Sequence, residues 1–438
     1  MTLSLRALNL PVTSNRTQAG ATETFEANFA LPRLLYYAGL LLIGQLTLRP
    51  WLSVTLSDYM FLAALLLTLA ALTNRRESLQ TYLPSGILWG SYLFALGALV
   101  STFESPHPVQ SIGVVARFLF LTVVWFWLGT VLLRRPEHVR TAVSCWVLSV
   151  AASGAAAMVQ LVWGDLIPGS TTEFGRMTGF AEHGNDLGGS TAVAVAAAIW
   201  LVRTGSSSSL IRTGAVLSGL LVGVGLVLSG SVGGLFAAAT GVAAFVALSK
   251  LTRRFVMFGI IAAAAGFGLI QLQLLQDSPT PLERVQQVRA EAGSMSTRLE
   301  TYGAAGLRVV RNPIVGVGPQ PGGAPAATGR PVHNALLGTL YESGALGALG
   351  LAAVIGSSLW VGFEARRHAR TEGERALISA LIACFVAYAS FGLAAPTLYA
   401  RYGWVPVAIV LALRAQHRRT QRVSEEPSAP LGLEEGAT

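Results

Sequence analysis

Apolar stretches long enough to cross a lipid bilayer recur from residue 31 to residue 413. A bilayer core takes about 20 mainly apolar residues of helix to cross, so this recurrence fixes the class of fold before any single residue is considered. The windows run over 31–48, 58–73, 84–102, 112–133, 141–163, 187–202, 213–228, 232–249, 255–275, 335–361, 376–394 and 396–413. They predict an all-α polytopic membrane protein of about twelve transmembrane helices. Composition agrees: 12% of the 438 residues are charged, against about a quarter in a soluble domain. Residues 1–30 are polar, carry Glu23 and Glu26, and lack the pattern of a cleaved signal peptide. The expected organisation is therefore an N-terminal tail over 1–30, nine spans within 31–275, and a large loop with short helices over 276–334. Three more spans follow within 335–413, and a disordered tail over 414–438.

The formal charge of +9 suggests nucleic acid, but the placement of the basic residues argues against it. Numbering the loops alternately puts 21 of the 31 Lys and Arg on one side, in the two tails and in segments such as "RRPEHVR" (134–140) and "EARRHARTEGER" (364–375). Short loops rich in Lys and Arg face the cytoplasm. Both termini are expected there, with the bilayer rather than nucleic acid as partner. The loops over 164–186 and 276–334 then share the outer face, where function is to be sought.

Three histidines, His107, His183 and His333, lie on that face. His333 follows the Pro- and Gly-rich run "GVGPQPGGAPAATGRP" and immediately precedes a span, which sets its depth near the membrane surface. A histidine there can accept a proton near neutral pH; the plainer alternative is a helix start with Asn334 as N-cap. Arginines supply a second theme, with Arg176, Arg298, Arg308, Arg311 and Arg330 outside and Arg117 inside the fourth span. Guanidinium groups grip phosphate bidentately and stay charged when partly buried. For Arg117 the alternative is snorkelling to the headgroups. Four Asp are scattered through the chain with no D-x-D cluster, and "EHGND" (182–186) lacks the paired histidines of a helical zinc site, so no metal and no cofactor are expected. Cys145 and Cys384 both fall in apolar runs and suggest neither disulfide nor zinc.

Three motifs and the overall topology together resemble the O-antigen ligase and O-antigen polymerase superfamily of bacterial membrane glycosyltransferases. The motifs are "GRMTGFAEHGNDLGG" (175–189), "STRLETYGAAGLRVVRNPIVGVGPQ" (296–320) and "HNALLGTLYESGALG" (333–347). The resemblance covers roughly residues 30 to 415. It implies transfer of a glycan from an undecaprenyl diphosphate carrier to an acceptor hydroxyl of a glycan, lipid core or protein. In that reading His333 is the general base of an inverting, metal-independent transfer. Arg176, Arg298, Arg311 and Arg117 hold the donor diphosphate. Asn334, Glu342 and Asn185 orient the base or contact the acceptor. One departure stands out: relatives often carry Ser-Arg-Gly where this chain has "LSGSVGG", with Val232 in the place of the Arg. Arg117 and Arg401 are the candidates to replace it. The rival class is a transporter or flippase of lipid-linked sugars or small solutes, whose polar groups belong near the bilayer midplane.

Overall fold

The computed structural model describes residues 28–45, 54–75, 82–164, 176–204, 208–249, 292–396 and 399–425. The expected ninth span (255–275), most of the N-terminal tail, the first part of the large loop and the last residues from 426 lie outside these.

The described residues fold into helices, joined by loops that hold one isolated bridge, Pro325 to Pro331. In chain order they are α1 (Ala30–Leu41), α2 (Leu56–Arg75), α3 (Ser85–Thr102), α4 (Pro108–Leu132), α5 (Pro136–Trp163) and α6 (Gly184–Arg203). Then come α7 (Ser209–Leu228), α8 (Val232–Leu248), α9 (Ala292–Arg311), α10 (Ala335–Arg367), α11 (Glu372–Gly392) and α12 (Arg401–Glu425). Among them α2, α3, α4, α5, α6, α7, α10 and α11, eight helices in all, are long and apolar enough to cross a membrane. The shorter α8 is apolar throughout. Proline opens α4 and α5, where its missing N–H costs nothing. A short turn over 229–231 joins α7 to α8, with the Ser231 hydroxyl capping α8 at the amide of Gly234, 3.1 Å away.

The core is a continuous apolar cluster of Trp125, Trp146, Trp404, Phe94, Phe118, Phe126 and their neighbours. Helices α3 and α10 run side by side in unusually close contact, because Gly90, Gly97 and Gly350 leave room for backbone against backbone. A Cβ on Gly350 would sit 2.2 Å from the amide nitrogen of Phe94.

The two ends of the bundle are tied differently. At the end where α10 finishes, side chains bridge the helices. Arg366 donates to the Leu248 carbonyl at 2.6 Å, Arg414 pairs with Glu364 at 3.0 Å, and His417 meets Glu374 at 2.5 Å. Gln416 and Arg419 donate to the carbonyls of Leu133 and Thr130, both at 2.7 Å. These contacts explain why α12 continues to Glu425 although the apolar run stops at 413. The stretch expected to be a structureless tail is amphipathic, and its polar groups cap the ends of α4 and meet α11.

Candidate functional site

The opposite end is organised by α10, which is not one continuous helix. Gly344, in its third turn, has φ 66° and ψ −173°, a conformation that strongly favours glycine. At this break the segment after α9, "NPIVGVG", crosses the helix and bonds to its backbone. The amide of Ala345 donates to the Pro313 carbonyl at 2.8 Å. The amides of Val317 and Gly318 donate to the carbonyls of Tyr341 and Glu342 at 3.0 and 2.9 Å. A Cβ on Gly344 would meet the Ile314 carbonyl at 1.9 Å, and one on Gly316 would strike the Glu342 carbonyl at 2.2 Å. Backbone groups released by the break are thus satisfied by the loop, as burial demands.

From there the loop folds back toward the start of α10. The buried carboxylate of Glu342 accepts from the amide of Ala324 at 2.6 Å, and the Tyr341 hydroxyl donates to the Pro325 carbonyl at 3.1 Å. Glu342 therefore reaches His333 through the loop 324–333 and makes no bond of its own to it.

His333 is half-buried at the end of this loop. Its Nδ1 lies 2.9 Å from the Pro331 carbonyl, which can only accept, so Nδ1 carries the proton and Nε2 is the basic nitrogen of the neutral ring. Burial holds its pKa below the ordinary 6.5. The Pro331 bond opposes that shift, while Arg298 and then Arg330 reinforce it. Tyr302 on α9 donates to the His333 carbonyl at 2.7 Å, fixing the histidine backbone to the helix that carries Arg298. No motif in the sequence singles out Tyr302: it is one aromatic on the inward face of an amphipathic helix. Asn334 is the N-cap of α10, its Oδ1 accepting from the amides of Leu336 and Leu337 at 3.1 and 3.0 Å. Its Nδ2 lies 3.4 Å from the Leu393 carbonyl at the end of α11.

A second cluster lies around the turn between α7 and α8. Arg176 donates through Nε to the Ser229 carbonyl at 2.8 Å and through Nη2 to Oδ1 of Asn185 at 2.6 Å. The Ser231 hydroxyl donates to the same Oδ1 at 3.2 Å. Gly184 leaves the space the guanidinium occupies, since a Cβ there would sit 2.9 Å from Arg176 Nε. The turn that carries Val232 is therefore served by Arg176. The alternative Arg401 is engaged elsewhere: it makes a buried bidentate ion pair with Asp58, the residue that also accepts from the Thr55 amide at the start of α2.

The end of α11 adjoins both clusters. Leu393 touches Asn334, while Phe391 and Ala394 face Gly233 of α8. Arg117, half-buried in α4, lies within electrostatic reach of Tyr399, as does Glu342. Arg308 lies in reach of Tyr341. Arg311 is exposed at the C-terminal end of α9, and the structure does not bring it to His333.

A helical bundle with eight helices long and apolar enough to cross a membrane, and with Arg176, Arg298 and His333 placed by the loops and helix starts at one end, defines an integral membrane protein. Residues 217–352 match the family model described as O-Antigen ligase. Over this stretch, from within α7 to the middle of α10, the chain is similar to the O-antigen ligase family, which supports the resemblance carried by the motifs. The match supports an O-antigen ligase- or polymerase-like activity in polysaccharide biosynthesis, that of a glycosyltransferase-like membrane enzyme. No curated protein matches the chain.

Proposed function

We propose that this protein transfers a glycan from an undecaprenyl diphosphate carrier to an acceptor hydroxyl on the outer side of the inner membrane, with both chain ends in the cytoplasm. The acceptor oxygen attacks the anomeric carbon while the bond from that carbon to the diphosphate breaks, inverting the centre. The hydroxyl proton passes to Nε2 of His333, and the lipid diphosphate departs with the bonding electrons. Arg298 and Arg176, with Arg117 and Arg311 supplementary, bind the donor diphosphate and stabilise its charge without a metal ion. Preorganised cationic donors in a partly dry site are well suited to that task.

The observation that carries this reading is the state of His333. Its Nδ1–H is anchored on the Pro331 carbonyl, and burial with two nearby arginines keeps the ring neutral, the form a base requires. The glycine break in α10 also bears on the transporter alternative. Transporters place broken helices at the bilayer midplane, whereas here the break lies in the third turn of a 33-residue helix, close to its end.

Purified protein in liposomes, given a labelled undecaprenyl diphosphate glycan and a panel of acceptors with and without EDTA, tests the proposal. Transfer should resist EDTA, and His333→Ala should slow it by about 10²–10⁴-fold while leaving the melting temperature unchanged. Undiminished transfer by that variant would remove the base assignment. Wild-type silence with every acceptor, together with uptake of labelled lipid-linked sugar, would favour the transporter.

A further inference from the structure

Helix α9 carries three distinct faces. One packs on the protein: Thr301 and Ala305 are buried, and Arg298, Tyr302 and Val309 are half-buried beside them. A second, with Glu300 and Arg311, is charged and exposed. The third is apolar and open. Leu299 is 62% exposed, Leu307 63% and Val310 80%, and Ile314, just past the helix, continues the stripe at 66%. At about 100° per residue Leu299, Val310 and Leu307 fall within about 80° of one another, and Glu300, about 20° beyond Leu307, marks the edge where the stripe gives way to the charged flank.

The depth of this stripe follows from α10. That helix has 33 residues and ends in Arg366 and Arg367, with Trp360 67% exposed on its flank. Tryptophan and basic residues together mark a membrane interface. At 1.5 Å per residue, a hydrocarbon core of about 30 Å reaches back some 20 residues from Trp360, to the neighbourhood of Leu340. The end of α9 is pinned just there, through the bond from the Ala345 amide to the Pro313 carbonyl. The open apolar stripe therefore sits at the boundary between acyl chains and headgroups, with a charged flank beside it. That distribution is the one an interfacial helix needs.

We propose that α9 lies in the membrane surface on the site side, with Leu299, Leu307, Val310 and Ile314 embedded among the lipid acyl chains. The lipid surface is its binding partner. The helix thereby holds Arg298 and Tyr302 at headgroup depth beside His333. The proposal rests on the placement of α9 and not on the chemistry assigned to His333.

Single-cysteine variants of the full chain test it, made with Cys145 and Cys384 replaced by Ala and reconstituted in phosphatidylcholine vesicles. An environment-sensitive fluorophore is placed at Leu307→Cys, Val310→Cys or Glu300→Cys, and each labelled protein is required to keep the parent melting temperature. At positions 307 and 310 the emission should shift to the blue, be quenched by lipids bearing a nitroxide near the top of the acyl chain, and resist iodide. Position 300 should show the reverse. Iodide access at 307 and 310 equal to that at 300 would put the face in water and overturn the proposal. Protection from both quenchers would assign the face to protein contact and overturn it equally.

Discussion

The two ends of the helical bundle are held together by different parts of the chain. Where α10 finishes, charged and polar side chains do the joining, with Arg414 on Glu364, His417 on Glu374, and Arg366, Gln416 and Arg419 on carbonyls at helix ends. Where α10 begins, backbone does much of it: the amides of Val317, Gly318, Ala324 and Ala345 take part in the bonds that fasten the loop to the broken helix. Architecture carried by backbone leaves reactive side chains available. Arg298 and the Nε2 of His333 sit beside that loop without being what fastens it.

Breaking the backbone-held end should have the largest effect. Gly344→Ala puts a Cβ 1.9 Å from the Ile314 carbonyl and forces an alanine into a positive-φ, extended-ψ conformation open essentially to glycine alone, at about 1–3 kcal/mol by itself. The variant should lose transfer activity and melt well below wild type. Gly223→Ala, with nothing within 4 Å of the added atom, should melt at or above the wild-type temperature. Equal behaviour of the two would break the contrast.

Glu342 comes next. Glu342→Ala leaves the buried Ala324 amide without its acceptor, at a cost of about 1–3 kcal/mol, whereas Glu342→Gln retains a carbonyl there and should keep most of the stability. Transfer by the Gln variant close to wild type would make Glu342 a positioning residue that acts through the loop.

A smaller effect is expected in the pH profile. His333 has its pKa lowered by burial, with Arg298 contributing, so the base should become protonated, and the rate fall, only below pH 6.5. Arg298→Gln removes part of that shift, and the acidic limb should move upward toward 6.5. The stability sign agrees: with the folded pKa below the unfolded one, acidification through that window protonates the unfolded state first and weakens the fold. Fluorescence-detected melting across the same pH range checks it.

The smallest change belongs to the side-chain-held end. Glu372→Gln breaks an exposed pair with Arg375 and should shift stability by less than about 0.5 kcal/mol, with transfer untouched. A marked loss of activity would show that the two ends are coupled.

Much of the helical layout was legible in the sequence, because a bilayer-sized apolar run leaves few alternatives. What was not legible required three dimensions. Asp58 and Arg401 are 343 positions apart, and neither carries a local signal of the other. The break at Gly344 hides in "ESGALGALG", where several glycines look alike and only one faces the Ile314 carbonyl. The proximity of His333 and Arg298 was suggested by resemblance, but the Tyr302 bond that links their segments was not. Asn334 proved to be the N-cap that the plainer reading anticipated.

The strap from Pro313 to Gly318 contributes its backbone to three bonds with α10, while Ile314 points its side chain away from the protein. Such a segment measures length rather than chemistry. An outward side chain such as Ile314 can give way to another apolar one, but adding or deleting one residue would slip every bond by a position and misalign the loop that ends at His333. In diverging copies of this protein, the number of residues between Pro313 and Gly318 should drift far more slowly than the identity of those that face outward.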